Sequence, residues 1–358
     1  MAKVLLTGDI NLMNVEDPLE PFRRIAPILR AADVVMSNLE CALYQPARAH
    51  AVENEGFYAD PEVGGPALTE AGISVVGVAN NVNYGEAAIL SSLAVLDRFG
   101  IPHAGSGENV VAARKPVILE KDGVRYGFLQ RSSVYWATNH EASESGVGIA
   151  VIRANTAFQV LAHREPWNGM LSPPFNRPGI PPKVVTWVEP DYLRVFAQDV
   201  AALRKQCDIL VISCHWGLGS EILDYMKEIA HTAIEHGADV VMGHGPHRPL
   251  QLGGHQGKPI FYGLGSFSFH TGHLGKKHGD WVGLLAQLTV EDKRVTRTSF
   301  SLVRNNDANE TVAVSGAEGK ATIDRLRTMS AAAGIVLREE GDDFVVLVAA
   351  PCEASAVR

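Results

Sequence analysis

The chain has 358 residues, of which 46% are hydrophobic and 20% are charged, so it can bury a large core in one large α/β domain or two smaller domains. Its net charge of -8 and its lack of a basic run argue against a nucleic-acid-binding protein, because neutralising phosphates requires clustered Lys and Arg. Four cysteines lie without paired spacing, and no apolar run is long enough for a secretory signal or a membrane span. We therefore expect a cytoplasmic protein with no membrane partner.

Predicted strands and helices alternate from the N-terminus to about residue 290, which favours an α/β fold. Strands are predicted at residues 3–7, 33–40, 73–79, 101–104, 116–120, 124–129, 148–153, 208–214, 238–241, 259–265 and 283–290. Helices are predicted at residues 21–32, 66–71, 86–99, 192–206 and 225–236. Asp122-Gly123 is a strong turn signal and predicts a hairpin between the two strands that flank it.

The last fifty or so residues predict a helix over 321–332 and a hairpin that joins 335–339 to 344–348. We therefore predict a main domain over residues 1–305 and an extension over 306–358 that packs on it. The terminal hairpin is a candidate edge for a homo-oligomer.

Three less regular segments interrupt the alternation. Residues 154–190 are rich in Pro and Trp, and because long loops inside a compact domain are usually functional, we predict an insertion that sets substrate specificity. The loop over 44–60 is either a rim of the substrate site or a solvated loop, and its polar residues include His50, Glu53, Asn54 and Glu55. The loop over 266–280 carries three candidate acid/base groups, although loop histidines are more often solvated: His270, His273 and His278.

Polar side chains follow the apolar strands one after another, at the strand ends where ligands collect in open α/β sheets. They are Asp9, Asn11, Asn38, Glu40, Asn80, Asn81, His215, His244 and His247. His244 and His247 are framed by Gly and Pro, which predicts a stiff turn that presents two imidazole nitrogens to one metal centre. A turn in which each His bonds only backbone is the alternative for that stretch alone.

Taken together, the series brings carboxylate, amide and imidazole groups to one sheet edge. This mixture suits two divalent ions of manganese, iron or zinc, with a bridging carboxylate that holds them roughly 3.5–4 Å apart. The competing interpretation is that these residues cap helices and turns.

The order of these motifs resembles the CapA family of capsule and poly-γ-glutamate synthesis proteins, within the calcineurin-like metallophosphoesterase superfamily. The matching motifs are Gly8-Asp9, Asn38-Leu39-Glu40, Asn80-Asn81, His215-Trp216-Gly217 with Glu221, Gly243-His244-Gly245-Pro246-His247 and Leu264-Gly265-Ser266-Phe267. Over about residues 3–290, the resemblance implies a four-layer α/β/β/α sandwich with metals at the edge of the two central sheets. It also implies a set of metal ligands, with Asn80 as the alternative amide: Asp9, Glu40, Asn81, His215, His244 and His247.

The sequence departs from that family at two motifs. Where the family usually has Asn-Asn-His, a short spacer and Asp, this chain has Asn80-Asn81-Val82-Asn83-Tyr84-Gly85. In the wider superfamily that His lies beside the metals and assists the leaving group as a general acid, which Val82 cannot do. Gly265-Ser266-Phe267 stands in place of Gly-Asn-Phe, and we expect no N-terminal membrane anchor of the kind common in capsule proteins. These differences predict a changed substrate.

The leading hypothesis is a metal-dependent hydrolase that acts on a small anionic substrate, with a phosphoester as the default. The alternatives are a hydrolase or lyase for a C–N or C–O bond, and a non-catalytic polymer- or ligand-binding protein of the CapA type. His215, if it is not a ligand, and Glu221 are the candidate acid/base groups. Arg131 is either a bidentate clamp for an anionic group or an ordinary ion-pair residue.

Overall fold

A computed structural model describes residues 1–46, 57–159, 166–167, 170–171, 181–272 and 279–349. Several residues considered above lie outside these ranges: His50, Glu53, Asn54, Glu55, His273, His278 and much of the 154–190 segment. The strands are β1 Ala2–Asn11, β2 Val34–Leu39, β3 Ala42–Leu43, β4 Tyr58–Ala59, β5 Val75–Gly77, β6 His103–Ala104, β7 Ser106–Gly107, β8 Val117–Lys121, β9 Val124–Ser132, β10 Gly148–Ile149, β11 Ala154–Gln159, β12 Pro166–Trp167, β13 Met170–Leu171, β14 Lys183–Val188, β15 Ile209–His215, β16 Val240–His244, β17 Leu252–His255, β18 Lys258–Phe261, β19 Ser266–Phe269, β20 Val282–Glu291, β21 Arg294–Asn305, β22 Thr311–Val314, β23 Ile335–Glu340 and β24 Asp343–Val348. The helices are α1 Ala26–Arg30, α2 Pro61–Ala71, α3 Glu86–Arg98, α4 Val110–Arg114, α5 Pro190–Arg204, α6 Asp224–Glu235 and α7 Lys320–Ala331.

Two large sheets form the centre of the described structure. Sheet A has the strand order β23-β24-β21-β20-β1-β2-β5-β6, with β19 also paired to β1 and β22 to β21. Sheet B has the order β17-β18-β16-β15-β9-β8. Its middle strands β18, β16, β15 and β9 are parallel, and β8 joins β9 through the predicted hairpin at Asp122-Gly123. Polar residues at the ends of these parallel strands therefore meet at one edge.

The apolar side chains divide into layers on either side of these sheets. Leu6 of sheet A and Val211 of sheet B belong to one buried cluster between the sheets. On the outer side of sheet A, Leu5 packs in a cluster that also contains residues of α2 and α3, and on the outer side of sheet B, Ile212 packs with residues of α5 and α6. The order of layers is helices, sheet, sheet, helices, which confirms the predicted four-layer α/β/β/α sandwich.

A bulge in β1 determines which layer Asp9 faces. Leu6 pairs with Met36 and Asp9 pairs with Asn38, so three steps along β1 correspond to two steps along β2. A bulge of this kind reverses the facing of the residues that follow it, and it turns Asp9 to the same side as Asn38. Gly8 allows β1 to pass close to the backbone at Gly265, because a Cβ at position 8 would lie 1.9 Å from the carbonyl oxygen of Gly265.

The N-terminal helix is shorter than predicted. Instead of one helix over 21–32, a 3-10 turn at Glu20–Phe22 is followed by α1, which begins at Ala26. Pro27 lies in the first turn of α1, where its missing N–H is tolerated, but it cannot continue a helix from the preceding residues. Phe22, Ile25 and Leu29 are buried, and the proline determines where the helix starts.

Several strands were not predicted. β21 joins β20 through Asp292 and Lys293, both of which have positive φ (48° and 63°), so the hairpin turn lacks the usual Gly signal. β19 falls within 266–280, which was interpreted as a loop. β11 and β14 pair antiparallel inside the predicted insertion. His244, which was placed after the strand, is the last residue of β16.

The C-terminal extension completes sheet A and the core between the sheets. β22 and β24 both pair with β21, and β23 pairs with β24 in the predicted hairpin. Leu326 of α7 and Phe344 of β24 are fully buried in the cluster between the sheets. The extension therefore contributes to the same core as residues near the N-terminus. None of the helices in the described part of the chain is long and apolar enough to cross a membrane.

Phe344→Ala should destabilise the protein by about 3–5 kcal/mol, because it removes a buried ring from the core between the sheets. Its ring stacks on Phe300, with the centroids 5.5 Å apart. Denaturant unfolding measures the loss. Val336→Ala is the control, since Val336 lies in the same hairpin but is 58% exposed, and it should cost less than about 1 kcal/mol. Equal small losses in both variants would show that the hairpin is not part of the core.

Candidate metal centre

The polar residues at the strand ends converge where the two sheets meet. Parallel pairing places Asp9 beside Asn38 in sheet A, and Glu40 follows β2 directly. In sheet B, the same kind of pairing places His215 beside His244. Asp9 and Glu40 are 0% and 1% exposed, so both carboxylates are removed from water.

Three imidazoles surround these two carboxylates. His244 Nδ1 lies 2.9 Å from Asp9 Oδ1, and His247 Nδ1 lies 3.0 Å from Asp9 Oδ2. Glu40 Oε1 lies 3.4 Å from the Nε2 atoms of both His215 and His247. Ligand atoms of Asp9, Glu40 and His247 all lie within 4.8 Å of one another. The spacing is suitable for metal ions held between the two sheets.

His247 reaches the cluster from a turn that is under conformational constraint. Its own φ is 52° and that of Gly245 is 107°, so both residues adopt left-handed conformations after β16. A Cβ on Gly245 would lie 2.8 Å from the carbonyl oxygen of Trp216 and 3.2 Å from the ring of His215. Glycine is therefore needed at 245, and the turn directs His247 back towards Asp9.

An amide network lies behind the carboxylates. Asn38 Nδ2 donates to Asp9 Oδ1 at 2.9 Å and to Glu40 Oε2 at 3.3 Å. Asn80 Nδ2 donates to Asn38 Oδ1 at 3.3 Å, so Asn80, the alternative amide of the sequence analysis, contacts this network. Asn81, the amide that the sequence favours as a metal ligand, is half-buried, and its backbone carbonyl oxygen accepts a hydrogen bond from Trp136 Nε1. The role of Asn81 as a ligand stays a prediction.

Burial and the mutual contacts of these residues change their pKa values. Burial alone would raise the pKa of Asp9, but hydrogen bonds and charge from His244 and His247 outweigh it and hold that pKa below its usual value. Burial, with the nearby charge of Asp9, raises the pKa of Glu40 despite the attraction of His247. Burial also lowers the pKa of His215 to about 4, so its imidazole is neutral at pH 7. A neutral imidazole is the form that binds a metal ion.

The residues of this cluster fit a divalent metal ion. Among the described residues, His244 Nε2 is a buried nitrogen with no hydrogen-bond partner. A buried polar atom without a partner costs about 1–3 kcal/mol, which metal coordination would remove. Carboxylate oxygens together with imidazole nitrogens suit Mn²⁺, Fe²⁺ or Zn²⁺. Asp9, Glu40, His215, His244 and His247 are the side chains that would hold such ions.

Comparison with protein families identifies the family of the chain. The family model described as bacterial capsule synthesis protein PGA_cap matches residues 3–271. The chain belongs to this family. Two relatives of the chain are named as CapA proteins. "PGA biosynthesis protein CapA" of Bacillus subtilis (strain 168) is 24% identical over 258 residues. "Capsule biosynthesis protein CapA" of Bacillus anthracis is 21% identical over 257 residues. Both matches confirm the predicted CapA resemblance.

A third relative is named "Probable polyglutamine synthesis accessory protein", from Mycobacterium tuberculosis, and is 28% identical over 209 residues. The three matches cover 70%, 70% and 56% of this chain, and 57%, 54% and 46% of the respective relatives. The chain thus spans about half the length of these relatives. A solved structure, a hypothetical protein from Thermus thermophilus, is similar with a TM-score of 0.48 and 14% identity, covering 85% of this chain and all of that one.

Arg131 does not contact the metal centre of this PGA_cap member. Along β9, Leu129 and Arg131 face the outer helices, whereas Gln130 faces sheet A. Arg131 is buried and forms an ion pair with Asp199 of α5 at 2.6 Å. Asp199 also binds Arg114 at 2.6 Å. Arg131 thus forms a structural ion pair, which was its alternative role, and the substrate-clamp role stays a prediction.

Glu221 and Val82 also lie apart from the buried ligand cluster. Glu221 is exposed in the loop between β15 and α6, where its backbone forms a bridge with Leu218. Its catalytic role stays a prediction. Val82 is buried in the apolar cluster between sheet A and its helices, so its side chain supports the core. This turn has an aliphatic residue where the CapA resemblance leads us to expect a His.

Mn²⁺ or Zn²⁺ should raise the melting temperature of metal-free protein, because an ion that binds only the folded state adds about 2.7 kcal/mol at 100 times its Kd. His247→Ala should lose most of this shift in melting temperature, since it removes one of the three side chains, Asp9, Glu40 and His247, whose ligand atoms lie close together. His255→Ala, which removes a surface imidazole paired with Glu235, is the control and should keep the shift. Calorimetry with and without metal measures both. An unchanged shift in His247→Ala would contradict this assignment of the site.

Proposed function

We propose that the protein is a metal-dependent hydrolase that uses two divalent ions to activate a water molecule. The position of Glu40 Oε1 is the observation that carries this proposal. This oxygen lies 3.4 Å from the imidazole nitrogens of both His215 and His247, with Asp9 on one side of the pair. A carboxylate oxygen between two sets of ligands is placed to be shared by two ions.

The charge of the centre favours an anionic substrate. With two divalent ions bound, Asp9 and Glu40 would carry two negative charges, which would neutralise half of the charge of the ions. The excess positive charge would attract and orient a phosphate or carboxylate group. When bound, the ions would lower the pKa of a bridging water and polarise the substrate oxygen, so no side-chain nucleophile is required. A small anionic molecule in the cytoplasm is therefore the proposed substrate, with no nucleic-acid or membrane partner.

The missing acid at Val82 limits the range of bonds that the centre cleaves. His140 is a nearby imidazole that could replace the His expected at position 82, but both of its ring nitrogens form hydrogen bonds. Nδ1 accepts a hydrogen bond from Trp136 N, and Nε2 forms one with the carbonyl oxygen of Asn83. Burial lowers the pKa of His140 to about 4, so it is neutral at pH 7. We infer that the substrate is a phosphoester with a good leaving group, and a C–N or C–O bond is the alternative.

The second candidate function is a non-catalytic CapA-type protein that binds a polymer or ligand through its metal centre. Two observations favour it: the aliphatic residue at Val82, and the relative from Mycobacterium tuberculosis that is named as an accessory protein. The two candidates share the metal centre and differ only in turnover. Metal content alone does not separate them.

Elemental analysis should find about two ions per chain, and aryl phosphomonoesters or phosphodiesters should be hydrolysed only when metal is present. Asp9→Asn keeps the side-chain shape but removes a charged ligand, so it should lower turnover by more than about 100-fold. Asp97→Asn is the matched control, since Asp97 pairs with His103 at the surface.

Each result of this experiment has a distinct meaning. Two ions with no phosphoester turnover would reject the phosphoesterase and favour another bond or the binding function. A native protein that holds no metal after reconstitution would reject both candidates. Equal activity in Asp9→Asn and Asp97→Asn would mean that the turnover arises elsewhere.

A further inference from the structure

Gln130 crosses from sheet B to the amide network of sheet A. It lies on β9, is fully buried, and faces the space between the sheets. Its Nε2 donates to Asn38 Oδ1 at 2.9 Å, and its Oε1 accepts from Ala79 N at 2.6 Å. We propose that Gln130 is a positioning residue of the metal centre, which acts through Asn38 to orient the carboxylates of Asp9 and Glu40. This inference rests on the metal centre of the proposed function.

The direction of the Gln130 amide is fixed by the backbone. A backbone N–H is only a donor, so the atom that bonds to Ala79 N must be the carbonyl oxygen of Gln130. The NH₂ group of the same amide must then face Asn38. It also lies 3.2 Å from Ser213 Oγ, which is a weaker partner.

The direction of the Asn38 amide follows from that of Gln130. Asn38 Oδ1 accepts from Gln130 Nε2 and from Asn80 Nδ2, so its NH₂ group is the end that faces the carboxylates. The reversed amide would place an oxygen against Asp9 Oδ1 and Glu40 Oε2, where each contact would be repulsive. Gln130 thus determines that Asn38 donates to both carboxylates.

Asn38 in turn selects which carboxylate oxygens are left for metal. It binds Glu40 Oε2, and this leaves Oε1 directed at the two imidazoles of His215 and His247. Asn38 also donates a hydrogen bond to Asp9 Oδ1, the oxygen next to His244. The other oxygen of Asp9, Oδ2, therefore faces His247. Outer partners that fix the orientation of ligands in this way typically change metal affinity by about 10–100-fold when removed.

Two glycines provide the space for Gln130. A Cβ on Gly77 would lie 2.3 Å from Gln130 Cδ, and a Cβ on Gly105 would lie 2.9 Å from Gln130 Oε1. Gly77→Ala would therefore displace the end of this flexible side chain without changing any polar residue. Ser213→Ala removes only the weaker contact of the same amide and serves as the matched control.

Titration with Mn²⁺, followed by the electron paramagnetic resonance of free Mn²⁺, tests the proposal on the full chain. Gln130→Met and Gly77→Ala should each weaken binding by about 10–100-fold, and Ser213→Ala should stay within about 2-fold of the native protein. Circular dichroism confirms that each variant is folded. If Gln130→Met does not fold, Gly77→Ala decides the question because it keeps Gln130.

A double-mutant cycle separates positioning from a purely structural role. If Gln130 acts through Asn38, the double variant Gln130→Met with Asn38→Leu should bind Mn²⁺ no more weakly than Asn38→Leu alone. Additive losses, or native affinity in both Gln130→Met and Gly77→Ala, would overturn the proposal.

The Mn²⁺ titration does not depend on hydrolysis. A native protein that binds Mn²⁺ without turnover would reject the hydrolase and still decide the role of Gln130. A native protein that binds no Mn²⁺ would reject the metal centre and the positioning role together.

Discussion

Burial of two carboxylates is the constraint on which the rest of this site depends. Placing an ionised carboxyl group away from water costs several kcal/mol unless charge or hydrogen bonds compensate. Asp9 receives that compensation from imidazoles of sheet B and from the amide of Asn38, whereas at Glu40 burial and the charge of Asp9 prevail and raise the pKa. Burial alone would lower the pKa of His247. The nearby carboxylates of Glu40 and Asp9 outweigh burial and raise this pKa to about 9. Without metal, the imidazole of His247 is therefore protonated at pH 7 and supplies the positive charge. A bound ion would displace that proton and take over the same role.

The sandwich is needed because neither sheet holds the site alone. Sheet A contributes both carboxylates and sheet B contributes the imidazoles, so every contact between the two kinds of ligand crosses the layer between the sheets. The distance between sheets is set by the apolar residues packed in that layer, to which α7 and β24 of the C-terminal extension also contribute. Packing far from the metal centre therefore helps to fix the ligand distances within it.

The sequence predicted the convergence of the polar side chains better than it predicted the path of the chain. A polar residue at the end of an apolar strand is a local signal, and it located Asp9, Glu40, His215 and His244 correctly at one edge. No local signal in the sequence indicated the role of Gln130. A single amide at the end of a predicted strand is common, and Asn38, to which Gln130 donates a hydrogen bond, lies in the other sheet. β21 was missed because its first half is polar and its turn lacks Gly. The sequence left two roles open for Arg131, and its ion pair with Asp199 depends on tertiary packing that the sequence does not show.

The turn at Val82 lies apart from the candidate metal ligands, so a change at this position need not alter the residues that would hold metal. The ligands face the space between the sheets, whereas Val82 packs on the other side of sheet A, so the aliphatic residue leaves the ligand geometry intact. The polar side chain of the turn, Asn83, bonds to the carbonyl oxygen of Val78 and thus stabilises the backbone. With the proposed ions bound, such a centre would keep its positive charge and its ability to activate water. If the chain is the proposed hydrolase, cleavage would depend on how readily the leaving group departs without a proton, and the substrate, rather than the metal ligands, would be the point at which this chain diverges from relatives that have the His.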